Sequence, residues 1–153
     1  MFQGQLVGIY VAATKGEALR ECPQAEAVAG GGLGGDRYCR TPGNGKPDQE
    51  ITLIESEALE AVAREAEISL QPGQARRNLV TRGVPLNHLV DREFTVGAVT
   101  LRGIRLCEPC GHLEKLTQQG VLAALIHRGG LRAQIVTGGA IRVGDEISVC
   151  ASK

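Results

Sequence analysis

Apolar residues along this chain fall into short runs rather than long periodic stripes. Leu6 to Ala12 (LVGIYVA) is rich in β-branched residues and Glu50 to Ile54 (EITLI) alternates around Thr52, so both predict strands bounded by turn residues. One stretch has the other period: Ser56 to Glu67 (SEALEAVAREAE) places Leu59, Val62, Ala63 and Ala66 at helical spacing. Ser56 stands at the N-cap position and Gln71 to Gly73 (QPG) closes the segment. Beyond Phe94 the pattern is β again. Val99 and Leu101 alternate, then the apolar set slips by one to Ile104 and Leu106 across Gly103, which predicts a β-bulge. Val121 to His127 (VLAALIH) predicts a short helix ended by Gly129 and Gly130, and Leu131 to Thr137 a strand. In the last stretch, Ile141 and Val143, a Gly144-Asp145 turn, then Ile147 and Val149 predict a hairpin. Strands outnumber helices and are not separated by regular crossover helices, so the pattern favours a twisted barrel over a doubly wound sheet.

Between the first two strands lies the longest irregular segment, GGGLGGDRYCRTPGNGKPDQ from Gly30 to Gln49. It is too rich in Gly and Pro to form an element, and loops of this length in compact domains commonly carry function or move. A rim loop is expected. Composition agrees with a chain of many turns: 21 of 153 residues are Gly, well above the usual share of roughly 7%. The 153 residues fit a single domain spanning positions 1–153.

Seventeen Lys plus Arg balance seventeen Asp plus Glu, so no overall field draws the protein to nucleic acid or to an acidic membrane. Any basic site must be local. The opening residues carry no basic n-region, and their apolar run is too short to span a bilayer. A cytoplasmic protein is expected. Five cysteines, at positions 22, 39, 107, 110 and 150, are an odd number without a secretory signal, which points to reduced thiols.

Several patterns bear on chemistry. Gly30 to Gly35 satisfies the spacing of a dinucleotide fingerprint, but that motif works only where a helix follows to meet the pyrophosphate, and here Asp36-Arg37-Tyr38 leads into TPGNGKP. Cys107 and Cys110 could open a zinc site with His112, yet no second pair completes four ligands. They also resemble a thioredoxin-like pair, without the early βαβ unit that such a pair requires. Two buried cysteines acting as small hydrophobes is the plain alternative. Against it, Glu108, Pro109 and Gly111 make a polar, turn-like segment that should leave Cys110 accessible. Arg76, Arg77 and Arg82 crowd into ARRNLVTRG, and Arg128 and Arg132 bracket HRGGLR. Guanidinium forks suit oxyanions, but spacing alone equally allows a solvated charged face. No Ser-His-Asp pattern with local context supports a hydrolase.

In order, GGDRY, EITLIE, ARRNLVTRGV, LCEPCGHLEKL, HRGGLRA and GGAIRVGDEI resemble the MOSC domain, named for the C-terminal domain of molybdenum-cofactor sulfurases. The likeness covers nearly the whole chain and is that of a stand-alone member. It implies a mainly β fold, a β-barrel with a few peripheral α-helices, and a role in handling sulfur or the molybdenum cofactor (molybdopterin). The cysteine matching Cys110 would act as thiolate ligand to metal or as persulfide carrier, and both suit a soft, nucleophilic sulfur. In cofactor-binding relatives an Arg in the GDR-like loop and an Arg and an Asn in the R-x-N block contact the pterin phosphate and its surroundings. Carried over, these fall on Arg37, Arg76 and Asn78, which should then converge on Cys110. A sulfur-donor or acceptor protein is the implied macromolecular partner.

Two departures are visible. Tyr38 stands where family members commonly have His after the GDR, and Ala12-Ala13-Thr14 stands where amidoxime-reducing relatives carry a Lys-Ser pair. No pyridoxal phosphate is expected, because in full-length sulfurases it belongs to a separate domain. Two other functions stay open on the sequence: a non-catalytic carrier of the cofactor, and a dithiol redox protein using Cys107 and Cys110.

Overall fold

The structure is a computed structural model that describes residues 2–149; Cys150 lies outside the described residues. Eleven strands and three α-helices follow one another as β1 (Gly4–Val11), β2 (Arg20–Cys22), β3 (Gln24–Val28), β4 (Gly32–Leu33), β5 (Ile51–Glu55), α1 (Ser56–Ala66), β6 (Leu79–Arg82), β7 (Glu93–Val96), β8 (Val99–Leu106), α2 (Gly111–Leu116), α3 (Val121–Ala124), β9 (Leu131–Thr137), β10 (Gly139–Arg142) and β11 (Glu146–Val149). The main sheet runs β11-β7-β8-β9-β5-β6-β1, and β1 then pairs with β11, closing a barrel. All neighbours are antiparallel except β5 and β6, whose parallel pairing is bridged by α1 on the outside. A small sheet of β10, β3 and β4 stands beside the barrel, and β2 adds to the main sheet by pairing with the second half of β1.

Two apolar clusters follow from this closure. Side chains alternate across each strand, so one set fills the barrel interior, including Leu6, Ile9, Leu53, Phe94 and Leu101, all fully buried. The second cluster lies on the outer face of β1, β5 and β6, where Ile54 and Val80 meet Leu59 and Val62 of α1 and Leu113, Val121 and Leu125 from α2 and the segment around α3. The bulge expected at Gly103 is present: the β8–β9 register shifts between Gly103 and Arg105. The glycine is also required there, since a Cβ would stand 2.0 Å from the Leu89 carbonyl oxygen.

Local details differ from the pattern in three places. Ser56 is the first helical residue rather than the cap. Glu55 holds the N-cap position in extended conformation, and the Ser56 hydroxyl instead accepts from Arg82. The helix after Val121 stops at Ala124, with Leu125 out of helical conformation. The expected C-terminal hairpin is not formed. Asp145 does make the turn, accepting the Arg142 N–H on Oδ2 and donating its own N–H to the Arg142 carbonyl. The two strands then part: β10 pairs with β3, and β11 with β7 and β1. Alternation makes Ile141 and Ile147 core residues whichever strands pair with them, so it specifies a half-buried strand without naming the partner.

Among the described residues no helix is long and apolar enough to cross a membrane. No helix follows Gly30 to Gly35; the chain turns at Asp36 and continues irregularly to a 3-10 turn at Pro47–Gln49.

Candidate functional site

Strand register sets out a polar row on the outside of the barrel. Ile9, Leu79, Leu53 and Leu131 lie side by side across β1, β6, β5 and β9 and are all fully buried in the core. One position along, Tyr10, Asn78, Thr52 and Arg132 must therefore face outward. Asn78 knits this row together. Its Oδ1 accepts from the Thr52 N–H at 3.0 Å, its Nδ2 donates to the Tyr10 carbonyl at 3.1 Å, and its own N–H donates to Thr52 Oγ1. One N–H of the amide remains available.

The Gly30 to Gln49 loop covers the row from one side, and Asp36 anchors it. The Asp36 carboxylate accepts the N–H of Ala12, just past β1, and that of Tyr38, and it pairs with Arg37 at 2.9 Å with both side chains buried. Arg37 in turn lies over the Tyr38 ring, 4.7 Å from its centre, with Lys15 5.8 Å from the same centre. A guanidinium held by a buried carboxylate and an aromatic face keeps one position.

Arg76 and Arg77 diverge because Arg76 adopts a left-handed backbone conformation, with φ of +60°. Arg76 turns outward and donates to the Glu17 carbonyl at 2.8 Å. Arg77 is buried and donates to the carbonyls of Gly129, Ala75 and Cys107. This buried cation thus binds backbone carbonyls rather than an acid, and it ties the HRGGLR turn to the end of β8.

Cys107 and Cys110 occupy different environments. Cys107 still bonds through its N–H to the Gly130 carbonyl and is 2% exposed, whereas Cys110 is exposed and immediately precedes α2. Pro109 lies between them and cannot extend the ladder.

These parts enclose one small cavity of about 120 Å³. Arg37, the Arg76–Asn78 pair and Cys110, from three distant parts of the sequence, all line it. So do Tyr38, Gln49, Thr52, Arg77, Arg132, Cys107 and His112, which the pattern alone did not single out as pocket residues. Arg132 had a visible signal in HRGGLR, and Arg77 in the arginine cluster; neither could be told from a surface charge by spacing. Four guanidinium groups line the cavity and no carboxylate does, Asp36 standing behind Arg37. Burial, and then the neighbouring Arg37, push Arg76 below the usual arginine range, against Tyr38 and Asp36. Burial likewise lowers Arg77, with Cys107 opposing and Arg132 adding to the shift. Arginine keeps its proton regardless, so an anion in the cavity would offset the mutual repulsion of these desolvated cations. Arg76 also borders a second, more open groove of about 510 Å³, walled by Tyr10, Leu19, Pro72 and Gln74. Among the described residues no three His, Cys, Asp or Glu side chains are grouped to hold a metal ion.

The family model for the MOSC domain matches residues 40–148. No curated protein sequence matches the chain. Among solved structures, the YuaD protein from Bacillus subtilis is similar with a TM-score of 0.80 at 18% identity, covering 100% of each chain. YiiM from Geobacillus stearothermophilus is similar with a TM-score of 0.75 at 15% identity, over 97% of this chain and 75% of that one. YiiM from Escherichia coli gives 0.69 at 17% identity, over 100% of this chain and 71% of that one. At these identities the likeness is one of fold.

Proposed function

The chain belongs to the MOSC domain family, and from that premise we propose that the Cys110 pocket binds the molybdenum cofactor, or an intermediate of it, through Arg37, Arg76 and Asn78, with Cys110 ligating the metal or carrying sulfur. Family membership implies a role connected with this cofactor in general. The finer assignment rests on one observation: four guanidinium groups, with no carboxylate among the lining residues, surround a cavity that an exposed thiol also lines. That donor set fits a phosphate-bearing ligand with a thiophilic centre. The cavity is below the roughly 300 Å³ of a small-molecule site, so it would take the charged end of such a ligand and leave the rest outside.

Bound there, the cofactor would supply a thiophilic metal centre. The chain's own part is positional: Arg37 is held by Asp36, Arg76 by the Glu17 carbonyl and Asn78 by Thr52 and Tyr10, so each presents its remaining donors without reordering. In the sulfur-carrying form, the Cys110 thiolate attacks the outer sulfur of a donor persulfide. One S–S bond forms, the donor's S–S bond breaks, and the donor leaves as thiolate with no net oxidation.

A carrier that binds and releases the cofactor without turnover is the second reading. Ala12-Ala13-Thr14, standing where amidoxime-reducing relatives carry Lys-Ser, weakens the case for a reductase and for full cofactor binding alike, and the Thr14 hydroxyl donates to Glu17 at 2.8 Å.

Native mass spectrometry of protein purified from a cofactor-producing host tests both. Bound pterin and metal, or one added sulfur, is expected on the wild type and lost in Cys110→Ser. Arg76→Glu should lose it as well, while Arg92→Glu, at an exposed position outside the pocket lining, should retain it. Neither pterin nor sulfur on the wild type would rule out both forms. Sulfur transfer to desulfo-cofactor separates turnover from carriage.

A further inference from the structure

Each pocket arginine has at least one arm tied down, but only one has a buried nitrogen with no hydrogen-bond partner at all. Arg37 pairs with Asp36, Arg76 bonds the Glu17 carbonyl, and Arg77 spends three donors on backbone carbonyls. Arg132, the second residue of β9, donates from one terminal nitrogen to the Asp48 carbonyl at 3.0 Å. Its Nε is buried with no hydrogen-bond partner, one of two such side-chain atoms among the described residues. The other, Thr81 Oγ1, belongs to a residue outside the pocket lining. Asp48 meets Arg132 with its carbonyl and not with its carboxylate, which pairs with the exposed Arg105 at 3.2 Å. A buried charged N–H without a partner is costly unless something else supplies the acceptor.

We propose that Arg132 is a further ligand-binding residue of this pocket, donating through the terminal N–H groups that its one bond to the Asp48 carbonyl leaves free to a doubly charged tetrahedral oxyanion of the phosphate class. The proposal rests on the reading of the cavity as an anion site, though not on which cofactor carries the anion. Charge and size agree with it. Four lining guanidinium groups less the Asp36 carboxylate leave a net charge of three positive, or two with Cys110 as thiolate, and a dianion offsets either better than a monoanion does. A cavity of about 120 Å³ holds such a group and little else. Position agrees too: Arg132 stands directly opposite Thr52, which Asn78 holds, so its place in the row is set by the sheet and not by a loop.

The test is isothermal titration of the purified full chain with inorganic phosphate, methyl phosphate and the monoanion dimethyl phosphate. Wild type should bind the first two and not the third. Arg132→Gln should weaken phosphate binding roughly tenfold or more, the contribution of one charge-assisted hydrogen bond. Arg132→Lys keeps the charge but loses the fork, and should rescue little of that loss. Arg92→Gln should bind as wild type does. Circular dichroism of each variant establishes folding; if Arg132→Gln does not fold, Arg132→Lys alone decides. Phosphate affinity unchanged in a folded Arg132 variant overturns the inference. Failure of wild type to bind phosphate overturns it as well. The cofactor reading fails separately: Arg132-dependent phosphate binding without pterin or sulfur on the purified protein sinks that reading and leaves this one standing.

Discussion

Two cysteines three positions apart differ because one residue between them cannot stay in a strand. Pro109 has no N–H for the ladder, so the chain leaves the sheet after Cys107, and Cys110 emerges before α2. Cys107 keeps its N–H on the Gly130 carbonyl while its own carbonyl receives Arg77. Alkylation of the native protein is therefore expected to modify Cys110 readily and Cys107 only far more slowly. Peptide mapping against time checks this. Cys110→Ser should abolish sulfur loading with little change in stability. Cys107→Ser should leave loading intact and cost about 1–3 kcal/mol, because it buries a hydroxyl in a thiol's place. Equal alkylation rates, or a reversible bond between the two, would instead favour the dithiol reading. At this scale the exposure of Cys110 was legible from Pro109, while Arg37, Arg76 and Asn78, which line the cavity, came from the family resemblance. Arg77 and Arg132 were visible as charges only, because their roles depend on which carbonyls surround them.

Short elements hold the pocket, and the turn leading into β9 is the tightest of them. Gly130 has φ of +113°, and a Cβ there would stand 2.0 Å from the Leu53 carbonyl oxygen. Gly16 is also left-handed, at +82°, but faces open space. Gly16→Ala should then cost only the left-handed strain of about 1–2 kcal/mol, while Gly130→Ala should add an overpacking cost of about 1–3 kcal/mol. Urea denaturation of the two variants compares them directly. Because the Gly130 carbonyl also accepts from Cys107, Gly130→Ala should change Cys110 alkylation, and Gly16→Ala should not. Strands β1, β5 and β9, helix α1 and the Gly103 bulge were readable because each rests on its own residues. The hairpin was misread because β10 and β11 take partners that lie far away in the chain.

Across the whole molecule, charge balances to zero while the fold sorts it unevenly. Glu50 shows the cost of that sorting. It is 2% exposed, accepts the Ile135 N–H at 2.9 Å, and has no cationic partner among the described residues. Burial raises its carboxyl above the usual range, against the N–H groups of Ile135 and Gly30. The folded protein therefore binds this proton more tightly than the unfolded chain does. The resulting stabilisation is full below the unfolded value of about 4.3 and is lost as pH rises through the raised folded value. Across that window the stability of wild type should fall relative to Glu50→Gln, as measured by urea melts at stepped pH. A difference that stays flat with pH would show that Glu50 does not titrate this way. The sequence by itself determined the mainly β class, the outer helix, the bulge and the separation of two thiols, because alternation, period and Pro act within a few residues. Only the tertiary structure decided that β1 closes on β11, and that Arg77 and Arg132 share the cavity lined by Arg37, Arg76 and Cys110. Those depend on register between strands distant in the chain, and pairing energy is nearly the same for any half-buried partner until the whole barrel closes.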